Sequence, residues 1–212
     1  MSGLYVCIEG PDGAGKSTLS KSIVQRFEEM QVPAVYRWFP SENEAGGLIR
    51  SGLRGEVKLH NKIFLYLFCA DGLQAEDGIR KSLSDGAHVI CDRHPTLSGR
   101  VFQVDHHPAS LVDSVYDGAT NDGISQPDLL FMVDVPPEVS LQRMSLRTKY
   151  KDVVFESDKL ERVTELRDRY IRLARRYKAI VLDGTLSIDQ LSDLVIARIG
   201  VAIADRVIGG RS

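Results

Sequence analysis

The stretch Gly10-Pro11-Asp12-Gly13-Ala14-Gly15-Lys16-Ser17-Thr18 decides the fold of this chain. Two glycines five positions apart, followed by lysine and serine, match the phosphate-binding loop pattern. The glycines let the backbone wrap closely, so that successive N–H groups point at phosphate oxygens. In this pattern Lys16 reaches the β- and γ-phosphates, and the Ser17 hydroxyl binds Mg²⁺. The residues predicted to hold ATP here are Gly10, Gly13, Ala14, Gly15, Lys16, Ser17 and Thr18.

The segments on either side of the loop agree with this interpretation. Residues 4–8 are an apolar run rich in β-forming side chains, as expected of a buried parallel strand. After Lys16, the apolar residues Leu19, Ile23 and Phe27 recur at helical spacing and predict an amphipathic helix. A glycine-rich turn without a ligand is the alternative. Strand, loop and helix together favour a triphosphate site.

The remaining pattern predicts strands alternating with helices. Further apolar runs suitable for strands occupy 35–39, 87–91, 129–133 and 180–182. Helical spacing indicates a short and a long helix between the second and third strands, and helices from about 138, over 158–177 and from 187. Residues 41–47 are expected to form a polar loop, and no element is predicted between Pro95 and the fourth strand. The alternation indicates an α/β fold with a five-stranded parallel sheet, helices on both faces and right-handed crossovers.

Composition limits the class of ligand and the cell compartment. A chain of 212 residues with 43% hydrophobic content suggests one domain over 1–212. A net charge of -2 gives no bulk attraction to nucleic acid or to a membrane surface, so a small phosphorylated ligand fits better. The widely spaced Cys7, Cys69 and Cys91 resemble reduced core residues. With no secretion signal at the start, we expect a cytoplasmic protein.

A second group of polar residues follows the third strand. The run ends in Asp92-Arg93-His94, at the carboxyl edge of an open α/β sheet, where ligands bind. There Asp92 could serve Mg²⁺ and Arg93 could clamp a transferring phosphoryl group. A surface ion pair is the alternative, and the neighbouring phosphate loop favours the functional interpretation.

A basic cluster follows the fourth strand. It comprises Arg143, Arg147, Lys149 and Lys151, with little apolar patterning. Such a run is often only a solvated helix face. Because two arginines lie one turn apart, the segment could instead be a basic lid over about 143–156 that closes on ATP and neutralises charge in the transition state.

Several motifs together resemble the thymidylate kinase family of nucleoside monophosphate kinases, in the family's order and over nearly the whole chain. The motifs are the loop with its preceding Ile8-Glu9, Phe39-Pro40, Leu67-Phe68-Cys69-Ala70, Cys91-Asp92-Arg93-His94, Ser98 with Phe102-Gln103, and Pro127-Asp128.

The resemblance implies a P-loop kinase fold, ATP and Mg²⁺, transfer of phosphate to a deoxynucleoside monophosphate, and a homodimer. By this similarity Asp12 contacts the acceptor sugar, Arg93 the acceptor phosphate, and Phe68 stacks on the base. Arg143 packs on the adenine of ATP. The implied acceptor-binding residues are Asp12, Phe39, Phe68, Gly72, Arg93, Ser98 and Gln103, the implied catalytic residues are Asp12, Lys16, Arg93, Arg147 and Lys149, and the metal-binding residues are Ser17 and Asp92.

The chain departs from the family pattern on the acceptor side. Glu42 stands where the family has an arginine for the acceptor phosphate, and Gly72 where it has an arginine for the thymine carbonyl. We therefore predict that Gly72 leaves the base pocket open to a larger, 5-substituted pyrimidine. Because Gly13 replaces the loop arginine of one branch, Arg147 or Lys149 would supply the transition-state cation.

Two other functions remain open from the sequence. A deoxynucleoside kinase shares the Ile-Glu-Gly opening and a similar lid, and would use Glu42 as a general base toward the 5′-hydroxyl. A nucleotide switch or an ATPase without an acceptor is the third candidate. A guanine-specific switch would need Asn-Lys-x-Asp, whereas Asn61-Lys62 is followed by Ile63 and Phe64.

Overall fold

The sheet is parallel and has five strands in the residues that the computed structural model describes, 2–146 and 160–209. The spatial order is β2-β3-β1-β4-β5, with β1 in the centre. This confirms the predicted fold class, with strand bounds shifted by about one residue. The strands are Tyr5–Glu9 (β1), Ala34–Trp38 (β2), His88–Asp92 (β3), Leu129–Asp134 (β4) and Ile180–Asp183 (β5).

Helices connect the strands. Two of these helices were not predicted from the sequence. These two, α4 and α5, lie in the stretch after Pro95 where no element was predicted. Their apolar residues are interrupted by Gly99, Asp113 and Gly118, which hides the helical period. The helices of the described residues are Lys16–Glu29 (α1), Glu44–Leu53 (α2), Asn61–Ser84 (α3), Pro95–Gln103 (α4), Ala109–Asn121 (α5), Pro137–Ser145 (α6), Leu160–Arg176 (α7) and Ile188–Gly209 (α8).

The start of α2 corrects the predicted loop at 41–47. The helix begins at Glu44 because the side chain of Asn43 caps it, accepting a hydrogen bond from the backbone N–H of Gly46 at 2.8 Å. Only residues 41–43 therefore form the loop after β2 and Pro40.

Helices cover both faces of the sheet, as predicted. Alternate residues of β1 point to opposite faces, because the side-chain period of a strand is two. Val6 and Ile8 pack in one buried cluster with residues of α1 and α8. Cys7 packs on the opposite face with residues of α4 and α7. The cysteines 7, 69 and 91 are free and buried, which agrees with their predicted role in the core.

The register of the central strands places the site. Ile8 of β1 pairs with Asp92 of β3. The phosphate loop that follows β1 and the polar residues that follow β3 therefore meet at the carboxyl edge of the sheet. No helix within the described ranges is long and apolar enough to cross a membrane.

Candidate active site

The phosphate loop needs glycine for reasons of space as well as of conformation. Gly10 and Gly13 have φ angles of 145° and 79°, which other residues rarely adopt. A Cβ at Gly10 would lie 2.4 Å from the carbonyl oxygen of Val133, and one at Gly13 would lie 2.5 Å from that of Ser140. The loop is therefore pressed against β4 and α6. Side chains at these positions would push it out of shape.

The mouth of the loop is open where α1 begins. Gly15 is the N-cap of α1 with φ 96°, and it has no side chain to cap the first turn. A Cβ placed there would meet no heavy atom of the described residues within 4 Å. Uncapped N–H groups at a helix start, facing open space, form an anion site. The backbone at this position is therefore suited to bind the phosphates of a nucleotide.

Lys16 lies folded over the loop in a nearly water-free position. Its side chain is only 6% exposed, and its Nζ donates a hydrogen bond to the carbonyl oxygen of Pro11 at 2.7 Å. The carboxylate of Asp12 is 4.0 Å away. Burial and the nearby charge of Arg93 lower the pKa of Lys16 to about 8. In these surroundings the positive charge of Lys16 is only weakly stabilised by the protein, so the amine is suited to pair with phosphate oxygens.

Ser17 and Asp92 form a pair that suits Mg²⁺. The Ser17 hydroxyl donates a hydrogen bond to Oδ2 of Asp92, and the Tyr36 hydroxyl approaches the same oxygen at 3.5 Å. The other oxygen, Oδ1, is buried and has no hydrogen-bond partner among residues 2–146 and 160–209. An orphaned carboxylate oxygen beside a hydroxyl matches the hard oxygen ligands of Mg²⁺, which also takes phosphate oxygens and water.

Arg93 is held on several sides at the end of β3. Its φ of 74° turns the chain sharply after the strand. Its Nη1 donates to the Tyr170 hydroxyl at 2.6 Å and lies 3.8 Å from the Glu9 carboxylate. Its Nη2 donates to Oδ1 of Asp12 at 2.5 Å. The structure thus brings together Asp12, Lys16 and Arg93, three of the predicted catalytic residues.

Glu9 is a part of this site to which the sequence analysis assigned no role. It is the last residue of β1 and fully buried. Its carboxylate accepts hydrogen bonds from the backbone N–H of His94 at 2.8 Å and from the Ser98 hydroxyl at 2.9 Å. Burial raises its pKa, while Arg93 acts in the opposite direction. A charged residue ending an otherwise apolar buried strand was the signal that could have identified it.

Four of the predicted acceptor residues, Phe39, Phe68, Ser98 and Gln103, are buried. Phe39 packs against β3 and α3, whereas Phe68 belongs to the cluster formed with α2 and α5. Gln103 at the end of α4 is buried, and its Oε1 has no hydrogen-bond partner in the described ranges. Ser98 is committed to Glu9. Ser98 therefore supports the strand end beneath Arg93.

The position of Gly72 is closed rather than open. A Cβ at this residue would lie 2.7 Å from Cδ1 of Ile124 and 2.8 Å from Cγ of Pro95. The prediction that Gly72 leaves free space was wrong at this point, because the two neighbouring side chains occupy it. What the replacement of arginine by glycine does remove is a hydrogen-bond donor.

The loop after Phe39 is fixed by residues to which the sequence analysis assigned no role. The buried carboxylate of Asp71 accepts hydrogen bonds from the backbone N–H of Ser41 at 3.0 Å and from its hydroxyl. Arg50 donates to the carbonyl oxygens of Pro40, at 2.8 Å, and Ser41. Its guanidinium thus holds the loop. Glu42, the residue after Ser41, is exposed.

Arg143, for which the resemblance implies a contact with the adenine of ATP, lies beside the phosphate loop. Its Nη1 donates to the carbonyl oxygen of Gly184 at 3.0 Å and approaches that of Ala14 at 3.5 Å. Arg147, Lys149 and the greater part of the predicted lid at 143–156 lie outside the described residues. Their predicted roles stay predictions.

A phosphate loop between β1 and α1, with a carboxylate and a guanidinium supplied by the adjacent strand, defines this protein as a P-loop kinase. The family model for thymidylate kinase matches residues 8–195. The chain therefore belongs to the thymidylate kinase family, which makes it a nucleoside monophosphate kinase.

Three curated relatives are similar to this chain over almost its whole length. A thymidylate kinase of Leptospira borgpetersenii is 31% identical over 189 residues, which is 89% of this chain and 89% of that protein. A probable thymidylate kinase of Methanocaldococcus jannaschii is 30% identical over 182 residues, or 86% of this chain and 87% of that protein. A thymidylate kinase of Leptospira interrogans is 29% identical over 191 residues, covering 89% of each chain.

Proposed function

We propose that this chain transfers the γ-phosphoryl group of ATP to dTMP, or to a related or modified deoxypyrimidine monophosphate, and so forms the diphosphate. The observation that carries the proposal is the position of Arg93 and Asp12 beside Lys16. An acceptor group held by the first two residues would lie next to phosphates held by the third.

The reaction would depend on positioning and charge neutralisation rather than on a covalent intermediate. Lys16 and the N–H groups at the start of α1 would hold the phosphates of ATP. Arg93 would hold the acceptor phosphate, and Asp12 would accept a hydrogen bond from the acceptor sugar. Ser17 and Asp92 would hold Mg²⁺, which would supply positive charge to offset that of the phosphates. Arg147 or Lys149 is proposed to add a cation in the transition state.

The exposed carboxylate of Glu42 favours a monophosphate acceptor over a nucleoside. A general base must lie within hydrogen-bond reach of the hydroxyl it deprotonates. Glu42 lies on the surface. Its two neighbours are tied to Asp71, since Ser41 donates to the Asp71 carboxylate and Asn43 to the Asp71 carbonyl oxygen. Since Gly72 offers no donor, the base of the acceptor is not selected by a guanidinium at this position. Tolerance of thymine analogues follows from that loss.

The test is an ADP-release assay on the purified protein, with ATP and Mg²⁺, across deoxynucleosides, deoxynucleoside monophosphates and no acceptor. We expect turnover with dTMP or a 5-substituted deoxyuridine monophosphate. Turnover with thymidine alone would establish the nucleoside kinase instead. Equal ADP release without any acceptor would identify an ATPase.

We also propose a homodimer, supported by an apolar face on α2 and α3. Ile63, Tyr66 and Leu73 are exposed and share one side of α3, and the exposed Leu53 ends α2 nearby in the chain. Sedimentation equilibrium should give twice the chain mass. Tyr66→Glu should shift the equilibrium to the monomer, because a carboxylate buried in an apolar interface would have no hydrogen-bond or ionic partner.

A further inference from the structure

Tyr170 touches the catalytic group from a distant part of the chain. It lies on α7, 77 positions after Arg93, and its side chain is 1% exposed. Its hydroxyl accepts a hydrogen bond from Nη1 of Arg93 at 2.6 Å. We propose that Tyr170 is a positioning residue that orients the Arg93 guanidinium toward the acceptor phosphate. The proposal rests on the function proposed above for Arg93.

The two ends of the guanidinium have different surroundings. Nη1 points inward, to Tyr170, to the Ser98 hydroxyl at 3.4 Å and to Glu9. Nη2 points to Asp12, whose side chain is about half exposed. A hydrogen bond to Nη1 fixes rotation of the planar group and leaves Nη2 directed at the loop. Bidentate recognition of a phosphate requires such a fixed plane.

The tyrosine suits this role chemically. Burial raises its pKa, so the hydroxyl stays protonated and offers a lone pair to the cation. The Phe102 ring supports both partners, with the Cζ of Arg93 5.7 Å from its centre and the Tyr170 ring at an angle of 81° to it. Glu9 provides a negative charge near the guanidinium of Arg93. Tyr170 orients the guanidinium through a hydrogen bond and adds no second negative charge.

The position of Tyr170 relative to Arg93 is set by contacts between α7 and α4. The adjacent Arg169 donates to the carbonyl oxygen of Val101 at 3.0 Å. It also pairs with Asp105, with 2.6 Å between Nη2 and Oδ1, and Arg162 pairs with the same carboxylate. These contacts hold α7 against the end of α4. The phenol oxygen is thus placed by the fold and not only by its own side-chain torsions.

The test compares Tyr170→Phe with a matched control, Tyr116→Phe. Tyr116 is also fully buried, but its hydroxyl has no hydrogen-bond partner in the described part of the chain. With dTMP as acceptor, we expect Tyr170→Phe to lower kcat/KM for the acceptor about 10- to 100-fold and to leave KM for ATP unchanged. Tyr116→Phe should resemble the wild type in both. Equal kinetics of the two variants would overturn the proposal.

A double substitution separates positioning from a structural effect. In an Arg93→Ala background, Tyr170→Phe should cause no further loss, because the group it orients is gone. If the same factor is lost in that background, Tyr170 acts independently of Arg93 and the proposal is wrong.

A measurement without substrate separates the failure of this proposal from the failure of the proposed function. In ¹⁵N NMR of the wild type and of Tyr116→Phe, the two Nη signals of Arg93 should be distinct, since the anchored guanidinium rotates slowly. They should merge in Tyr170→Phe. Distinct signals in all three proteins would exclude positioning by Tyr170, whichever acceptor the wild type phosphorylates. A wild type inactive on every monophosphate would contradict only the proposed function.

Discussion

The guanidinium of Arg93 and the carboxylate of Asp12 form an ion pair, with 2.5 Å between Nη2 and Oδ1. These are the side chains proposed to hold the acceptor phosphate and the acceptor sugar. An acceptor would therefore exchange one partner for another: its phosphate replaces a carboxylate on Arg93, and its hydroxyl replaces a cation on Asp12. Arg93 keeps an anionic partner and Asp12 keeps a hydrogen-bond donor, which limits the desolvation cost of binding.

Replacement of Arg93 by alanine should remove most of the activity. We expect a loss of about 10²–10³-fold in kcat/KM for the monophosphate, about 3–4 kcal/mol, as for a charge-assisted clamp on the reacting group. Steady-state kinetics with varied acceptor measures it. Arg26→Ala is the control, because Arg26 pairs with Asp193 at 2.8 Å, between α1 and α8. Normal kinetics of Arg93→Ala with an unchanged circular dichroism spectrum would mean that Arg93 has no part in catalysis.

Replacement of Lys16 by alanine should abolish turnover without lowering the melting temperature. The amine lies over the phosphate loop, and its burial costs free energy in the folded state, as its lowered pKa indicates. Differential scanning fluorimetry and the ADP-release assay check the two parts. Lys21→Ala, on the same helix but near the Tyr36 ring, should keep most of the activity. An active Lys16→Ala enzyme would refute the phosphate-loop interpretation.

The affinity for ATP should fall above pH 8. Lys16 has a pKa of about 8 in the protein, and phosphate oxygens beside it raise that value in the complex. Below pH 8 the amine is charged in both states, so Kd is flat. Above pH 8 it must take up a proton on binding, and Kd rises by up to about tenfold per pH unit.

Isothermal titration with ATP and Mg²⁺ at pH 7–10 measures this slope. In Lys16→Arg the slope should disappear, because a guanidinium does not titrate in this range. An identical slope in the variant would assign the titration to another group.

Replacement of Glu42 by alanine separates the two kinase functions. For a monophosphate acceptor, a carboxylate 4 Å from the phosphate would cost about 4 kcal/mol at an effective dielectric of 20, so the exposed Glu42 must stay turned away. We therefore expect Glu42→Ala to leave kcat nearly unchanged. A fall of about 10²–10⁴-fold, with thymidine as the better acceptor, would instead show a general base.

Replacement of Gly72 by alanine should destabilise the protein, whereas Gly78→Ala on the same helix should not. The added methyl group at Gly72 meets Ile124 and Pro95 at less than 3 Å, an overpacking worth about 1–3 kcal/mol. At Gly78 it meets no heavy atom of the described residues within 4 Å, and helix propensity predicts a gain of about 1 kcal/mol. Urea unfolding of both variants gives the difference. Equal stabilities would mean that Pro95 and Ile124 move aside freely.

The strands, the phosphate loop and its helix can be predicted from residues that are neighbours in the sequence. An apolar run enters the glycines, a lysine and a serine follow, and the helical period begins at once. These patterns are local because backbone conformation and burial period depend on residues a few positions apart. The same reasoning failed for α4 and α5, where polar residues and glycine interrupt the period. It predicted α2 but placed its start too late, because the side chain of Asn43 caps the helix earlier in the chain.

The contacts that define the acceptor side are decided by tertiary structure. Arg93 reaches Asp12 across 81 positions and Tyr170 across 77, and Glu9 lies beneath the pair only because β1 and β3 are adjacent in the sheet. Gly72 seemed to leave a vacancy, but Pro95 and Ile124 fill it. Sequence shows which side chains are present. Whether a space is filled, and which charge faces which, depends on the packing of segments that have no local relation to one another.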